Sequence, residues 1–345
     1  AIAAVILEEI GHAIDAQINE TDSAGDEGAI FAALVQGETL SESELAALKA
    51  EDDSAVITVD GEEIIVEQAT FTVTNTSDSG AGSLRDAIAQ AVANSAVDVI
   101  TFDPSLDGQT ITLTSGELLI DESDGLTIDG DLDDDGTADI TVERDSSASN
   151  FRIFKIDDGD NANDVTVTLD GLTITGGVAS GTFPNDRGGG IFNRNDRGGG
   201  IFNSEDLTLT NSTVSGNSAS DDGGGIFNLY STATVTNSTV SGNSASDNGG
   251  GIFNGGTATV TNSTVSGNSA NDGGGINNFG TATLSNSLIS GNSAATSGNE
   301  VFNASSSIIN ADANNLFGDS SQTNAQAFSN FTPGANDINA TSDGT

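Results

Sequence analysis

A motif that returns at an almost constant interval limits this chain more than any other feature. GGGIFN occupies Gly198–Asn203, Gly223–Asn228 and Gly249–Asn254, and the variant GGGINN occupies Gly273–Asn278. The aliphatic position of each copy, Ile201, Ile226, Ile252, Ile276 and then Val301, is spaced by 25, 26, 24 and 25 residues. Between copies lie short β-branched runs such as Ala233–Ala245, with no helical periodicity. One coil of a solenoid per repeat is the fold that such a period implies, because each unit can bury its apolar face only against its neighbours.

Within a coil the pattern alternates with period 2, as a strand requires. In Ala233-Thr234-Val235-Thr236 the Ala and Val share one face, and the equivalents of Val235 are Leu209, Val260 and Leu284. That face points inward and the threonines outward. The Ile slot of GGGIFN stays aliphatic, whereas Phe227 and Phe253 correspond to Asn277. The expectation is therefore Ile inside and Phe outside, with Phe227, Phe253 and Phe202 or Phe192 forming an apolar surface stripe. Asn recurs in two further columns, at 211, 237, 262 and 286 and at 217, 243, 268 and 292. Stacked coils place such amides about 4.8 Å apart, close enough to hydrogen-bond along the stack, and Asn tolerates a left-handed corner. The same residues fit N-x-[ST] glycosylation acceptors, but a spacing that follows the coil favours the ladder.

These repeats resemble the right-handed parallel β-helix of the pectin-lyase-like superfamily, in its bacterial surface-protein branch related to polymorphic outer-membrane-protein repeats. Upstream, Val73-Thr74-Asn75-Thr76, Gly82-Ser83-Leu84-Arg85-Asp86-Ala87-Ile88 and Ile100-Thr101-Phe102 resemble the N-terminal module called CSLREA, with Gly82 in place of its Cys. The resemblance covers roughly residues 71 to 340. It implies an all-β solenoid, and it is specific for fold rather than activity.

Four segments follow. Residues 1–70 read as a small α+β unit, with an amphipathic helix over 1–18 and a hairpin, Ala55–Asp60 and Glu62–Gln68, turning at Asp60-Gly61. Residues 71–97 supply a first strand and a helix, Ser83–Ala93, with Ser83 as N-cap and Leu84, Ala87, Ile88 and Ala91 on one face. That helix is expected to cover the end of the solenoid, whose bare strand edge would otherwise recruit other chains. Residues 98–310 hold about eight or nine coils, irregular at first, with strands near 111–113, 118–120, 126–128, 140–142, 151–156, 165–169 and 172–175. Residues 311–345 read as a polar extension that continues in the native protein. A near-perfect ten-residue duplication, Asn185–Arg194 and Asn195–Ser204, interrupts the register, and the sequence does not say which copy holds the strand.

Charge excludes several partners. Lys+Arg total 8 against 52 Asp+Glu, a formal charge of −44, so no basic surface exists for phosphates or an anionic bilayer. No stretch is long and apolar enough to insert in a membrane. Cys is absent, which rules out disulfides and thiolate metal sites.

The sharpest candidate site is Asp131-x-Asp133-x-Asp135-Gly136-x-x-Asp139. Acids at positions 1, 3, 5 and 9 around a glycine, with the Thr137 carbonyl at position 7, match a calcium-loop template. Position 12 is Val142, so the loop is not an EF-hand. It is similar to the shorter calcium loops of thrombospondin-type-3 repeats, and Asp129 or Asp134 would complete the shell. A weaker cation column is Asp186, Asp196, Asp221 and Asp247, ahead of the Gly triplets. A second motif, Glu8-Glu9-Ile10-Gly11-His12, resembles the H-E-x-x-H helix of zinc metallopeptidases with its first His replaced. His12 is the one histidine. Glu9, His12 and Glu27, or Asp15, would be the zinc ligands of a degenerate zincin-like remnant of the kind carried by large cyanobacterial surface proteins.

The superfamily's polysaccharide lyases and hydrolases would need a Lys or Arg base or paired acids on the outer face. No Lys, Arg or His follows Arg197, and Arg152, Lys155 and Arg187 in the irregular coils are the candidates. The expected function is a non-enzymatic, calcium-stabilised scaffold, secreted or at the cell surface, that serves adhesion or self-assembly with like chains, other surface proteins or glycans. The alternatives are a carbohydrate-binding or carbohydrate-cleaving β-helix, and a metalloprotease-derived domain with a weak zinc site.

Overall fold

The computed structural model describes residues 69–343 apart from 94–96, 122–123, 158–164, 181–196 and 312, together with the backbone of two strands, Ser54–Val59 and Glu62–Glu67. The chain divides into two compact units, Ala1–Thr70 and Phe71–Thr345. In the first, the two strands pair antiparallel with Val59 opposite Glu62, so only Asp60 and Gly61 separate them. The expected helix over 1–18 lies outside the described residues.

The second unit is a parallel β-helix. One coil runs through four short strands, for example Ile226–Asn228, Thr232–Thr236, Thr239–Ser241 and Ser244–Ala245. Each pairs in parallel with its counterpart one coil on, so that Ile226 lies beside Ile252, Thr234 beside Thr259, Val240 beside Val265 and Ser244 beside Ser269. The coils thereby build four sheets. Sheet 1, containing Thr234, and sheet 2, containing Val240, have nine strands each; sheet 3, containing Ser244, has five and sheet 4, containing Ile226, has eight. Irregular early coils join the same sheets, with strands at Thr110–Leu113, Leu118–Ile120, Leu126–Asp129, Ile140–Arg144, Phe154–Ile156, Thr166–Asp170 and Leu172–Thr175.

Period-2 alternation sets the core. In Thr232–Thr236 the residues alternate half-buried and buried, and Ala233 and Val235 fill the interior. Helix α1, Leu84–Ala91, starts where Ser83 Oγ accepts the Asp86 N–H (3.2 Å) and buries Leu84, Ala87, Ile88 and Ala91 on the first coils. Its Arg85 donates to the Gly116 and Glu117 carbonyls and pairs with Asp78 at 2.8 Å. The helix is fastened against the first coils at the N-terminal end of the stack, where it contacts the Asp98–Phe102 and Leu118–Ile120 strands.

Two expectations need correction. Phe202 and Phe227 are fully buried and Phe253 is half-buried. They form no exposed stripe. Their rings stack along the helix axis with centroids 5.4 and 4.7 Å apart, under cover of the preceding glycine turn. Gly223, at φ +69°, passes so close that a Cβ there would sit 2.6 Å from that of Phe227. Asn277 enters this column fully buried because its Nδ2 finds Asn248 Oδ1 at 3.1 Å and the Asp272 carbonyl at 3.0 Å. The ring missing from that coil is replaced from two residues on: Phe279 stacks 5.5 Å from Phe253. Nor do the coils stop near Asn310. Leu316–Phe317 and Ile338–Asn339 extend sheet 2, Phe328–Ser329 extends sheet 4, and Phe317, Phe328 and Phe331 pack edge-to-face inside. The duplication is resolved in favour of its second copy, whose Ile201–Asn203 pairs with Phe154–Ile156 on one side and Ile226–Asn228 on the other. The first copy lies outside the described residues.

Candidate metal centre

In regular coils sheets 1 and 2 meet at a two-residue corner, Asn237-Ser238 between Thr236 and Thr239. Each Asn there has positive φ, from 48 to 51° at Asn211, Asn237, Asn262 and Asn286. In the second coil this corner is replaced by Gly130–Asp139, between Leu126–Asp129 and Ile140–Arg144. The insertion winds around Asp131, whose Oδ1 accepts from Asp135 N (3.1 Å) and Oδ2 from Gly136 N (2.9 Å). Asp139 Oδ2 accepts from Leu132 N at 2.8 Å. Asp134 and Gly136 take positive φ, 56 and 81°, which lets the chain reverse within the loop.

Asp131, Asp133 and Asp139 each bring a carboxylate oxygen within 4.8 Å of the other two, a spacing that could hold a metal ion. Asp135 aims elsewhere, its Oδ1 accepting from Thr137 N (2.9 Å) and Thr137 Oγ1 (2.6 Å). Asp129 sits at the loop's base, in register with Asp170 of the next coil. Asp170 is a neighbouring acid, outside the three-carboxylate cluster, that the linear motif conceals because it arrives some forty residues later; the recurrence of Asp ahead of glycine, Asp129-Gly130 and Asp170-Gly171, is the trace it leaves. Burial first, then surrounding carboxylates, pushes Asp129 and Asp170 above the ordinary aspartate range. Asp133 is also raised, by local desolvation and then by Asp135. Residues 129–139 contain no Lys or Arg, so nothing within the loop offsets this repulsion.

A second acidic group, Asp221, Asp222 and Asp247, also gathers its oxygens within 4.8 Å. It already holds a cation. Arg197 Nε lies 2.9 Å from Asp221 and 2.8 Å from Asp222, and its guanidinium stands 5.2 Å from the Phe227 ring centroid. Burial and then Asp222 push Asp221 up to about 6. Asp221 and Asp247 are consecutive members of the expected column, Asp222 and Arg197 were not foreseen, and Asp186 and Asp196 lie outside the described residues. So do Glu8, Glu9, His12, Asp15 and Glu27.

The cations considered for catalysis are engaged. Arg152 is 1% exposed and pairs with Glu117 at 2.9 Å, and Lys155 pairs with Asp157 at 2.9 Å. Burial pushes the Arg152 guanidinium down to about 10. Arg187 lies outside the described residues.

Polar ladders run along the later coils of the stack. Asn217, Asn243, Asn268 and Asn292 are buried, each Nδ2 donating to the next Oδ1 at 2.9 to 3.1 Å and to an interior carbonyl. The ladder ends on buried Glu300, which accepts from Asn292 Nδ2 at 2.6 Å and from Gly291 N at 3.0 Å. Burial drives that carboxyl up to about 7. A third ladder, Asn203, Asn228, Asn254, Asn278 and Asn303, runs through the last residue of each GGGIFN with bonds of 2.8 to 3.0 Å. The expected outer column at 211, 237 and 262 forms as well, with weaker contacts of 3.3 to 3.4 Å. Comparison with family models, with curated proteins and with solved structures returned no match. Among the described residues no helix is long and apolar enough to cross a membrane.

Proposed function

We propose that this chain is a rigid structural module of a secreted or cell-surface protein, serving adhesion or self-assembly, in which calcium at Asp131, Asp133 and Asp139 stiffens the corner of the second coil. The observation that carries the reading is the parallel stack of coils, laced by amide ladders from Asn203 to Asn303. Such a body spends its polar groups on rigidity. Arg152, Lys155 and Arg197 serve ion pairs, which favours a scaffold over a polysaccharide-cleaving enzyme. Calcium is preferred to a transition metal because every ligand is a hard carboxylate oxygen. The likeness to bacterial surface-protein β-helices of the pectin-lyase-like superfamily agrees with this reading.

The test pairs a turnover assay with a metal titration. Purified protein incubated with acidic and neutral polysaccharides should release no new reducing ends or unsaturated products. Calorimetric titration should give one calcium per chain that is lost in Asp131→Asn. Polysaccharide turnover that depends on Arg152 or Lys155 would overturn the scaffold reading, and heat-silent titration of folded protein would remove calcium from it.

A further inference from the structure

The outward face of sheet 1 carries a lattice that a passive wall does not require. Thr208, Thr234, Thr259 and Thr283 stand in register in successive coils. The positions two residues before and after them are also Thr in the Thr232–Thr236 and Thr257–Thr261 strands. From Thr208 to Ser290 no outward position of sheets 1 and 2 is charged, although the chain as a whole carries −44. The hydroxyls of the middle column have no hydrogen-bond partner among the described residues, and these threonines are half-buried side by side. The rows repeat about every 4.8 Å along the stack and about every 6.6 Å along a strand, twice the rise per residue.

We infer that this face binds the surface of crystalline water. A hydroxyl array of fixed spacing can act as a template for water oxygens in two dimensions; the a-axis repeat of hexagonal ice lies near the stacking distance, and its c-axis repeat is somewhat longer than the strand spacing. Threonine suits the task on both counts: its hydroxyl takes a lattice position, and its methyl group, stiff at χ1, holds the neighbouring water in a cage. Charged side chains would orient water radially and break such a layer; the one on the array's first strand, Asp206, lies at its edge and is engaged by Thr232 N at 3.0 Å. Rigidity is supplied beneath by Ala233, Val235 and the buried Asn ladders, which hold the sheet to its repeat. Other partners fit less well. Nucleic acid and anionic lipid need basic side chains, and a sugar lattice is usually gripped by aromatic rings, which the outward positions of these strands lack.

The experiment is nanolitre osmometry of the purified chain, with melting followed by circular dichroism. The wild type is expected to separate freezing from melting temperature and to suppress recrystallisation. Thr234→Tyr with Thr259→Tyr should abolish both effects at an unchanged melting temperature of the protein, whereas Tyr230→Ala, at an exposed corner off the array, should retain them. Folded wild type without a freezing gap would overturn the inference, as would a gap indifferent to the double substitution. A dimer in sedimentation, or retention on insoluble cellulose, that disappears in the double variant without any freezing gap would also overturn it, by giving the face to a second copy or to a polysaccharide. These outcomes leave the calcium titration untouched, so the two readings fail separately.

Discussion

A buried amide in this stack serves four groups at once. Asn243 accepts from Asn217 N (3.0 Å) and Nδ2 (3.1 Å) while donating to the Val214 carbonyl (2.9 Å) and to Asn268 Oδ1 (3.0 Å). Removing it strands buried partners, each of which costs about 1–3 kcal/mol when unsatisfied. Asn243→Ala should therefore destabilise by about 3 kcal/mol in denaturant melts, and more than Asn237→Ala. The exposed Asn237 makes only long bonds, and its replacement should cost about 1 kcal/mol, mainly for the left-handed backbone. Equal losses would contradict the distinction between inner and outer ladders. Glu300 supplies the complementary test. Its folded pKa of about 7 lies above its ordinary value of 4.5, so the folded state holds its proton more tightly. Stability from this group is complete below pH 4.5 and is lost as pH rises through 7. Glu300→Gln, which keeps the ladder's shape without the charge, should flatten that decline and stabilise at pH 8 by up to about 3 kcal/mol. A variant with the wild-type pH profile would show that Glu300 does not end the ladder as a buried acid.

At the scale of elements, the acidic loop and the glycine turn show why some features were legible and others were not. Asp131, Asp133 and Asp139 could be read as a cluster because their spacing is local. Asp170 could not, because only the register of two coils brings it to Asp129. The phenylalanines misled for a related reason: comparison of slots treats Asn277 as a sign of exposure, yet its Nδ2 finds two acceptors inside while its Oδ1 stays unpaired among the described residues, and Phe279 replaces the lost ring from outside the motif. The loop itself makes a prediction with a definite sign. Asp129, Asp133 and Asp170 are raised, so without a divalent cation their contribution to stability is present in acid and falls as pH rises through their folded values. Calcium should reverse this at neutral pH. At a hundredfold excess over its Kd it adds about 2.7 kcal/mol, and chelator should remove the same amount. A melting temperature unmoved by calcium or chelator at neutral pH, with Asp131→Asn indistinguishable from wild type, would contradict the site.

For the whole molecule, the period of 24 to 26 residues was enough to foresee coils and inward aliphatics, and the one-faced apolar pattern over Ser83–Ala93 to foresee the helix observed at Leu84–Ala91. It was not enough to follow the stack past Asn310, where Ala and small polar residues dominate and the core positions shrink to Ala311, Phe317, Ala327 and Phe328, with Phe331 packed against them. A coil there keeps its strands but loses the motif by which coils are counted. The central claim, that successive coils lie in register, is open to a direct chemical measurement because the chain has no cysteine. Cysteines introduced at Thr234 and Thr259 face one another in adjacent strands, within the Cα separation of roughly 4.4–6.8 Å that a disulfide bridges. Those at Thr234 and Thr283 are two coils apart. Mild oxidation of the two double variants, followed by peptide mapping of the monomer, should give an intramolecular disulfide in the first pair and none in the second. Reduced thiols in the first pair, or equal yields in both, would contradict the stack.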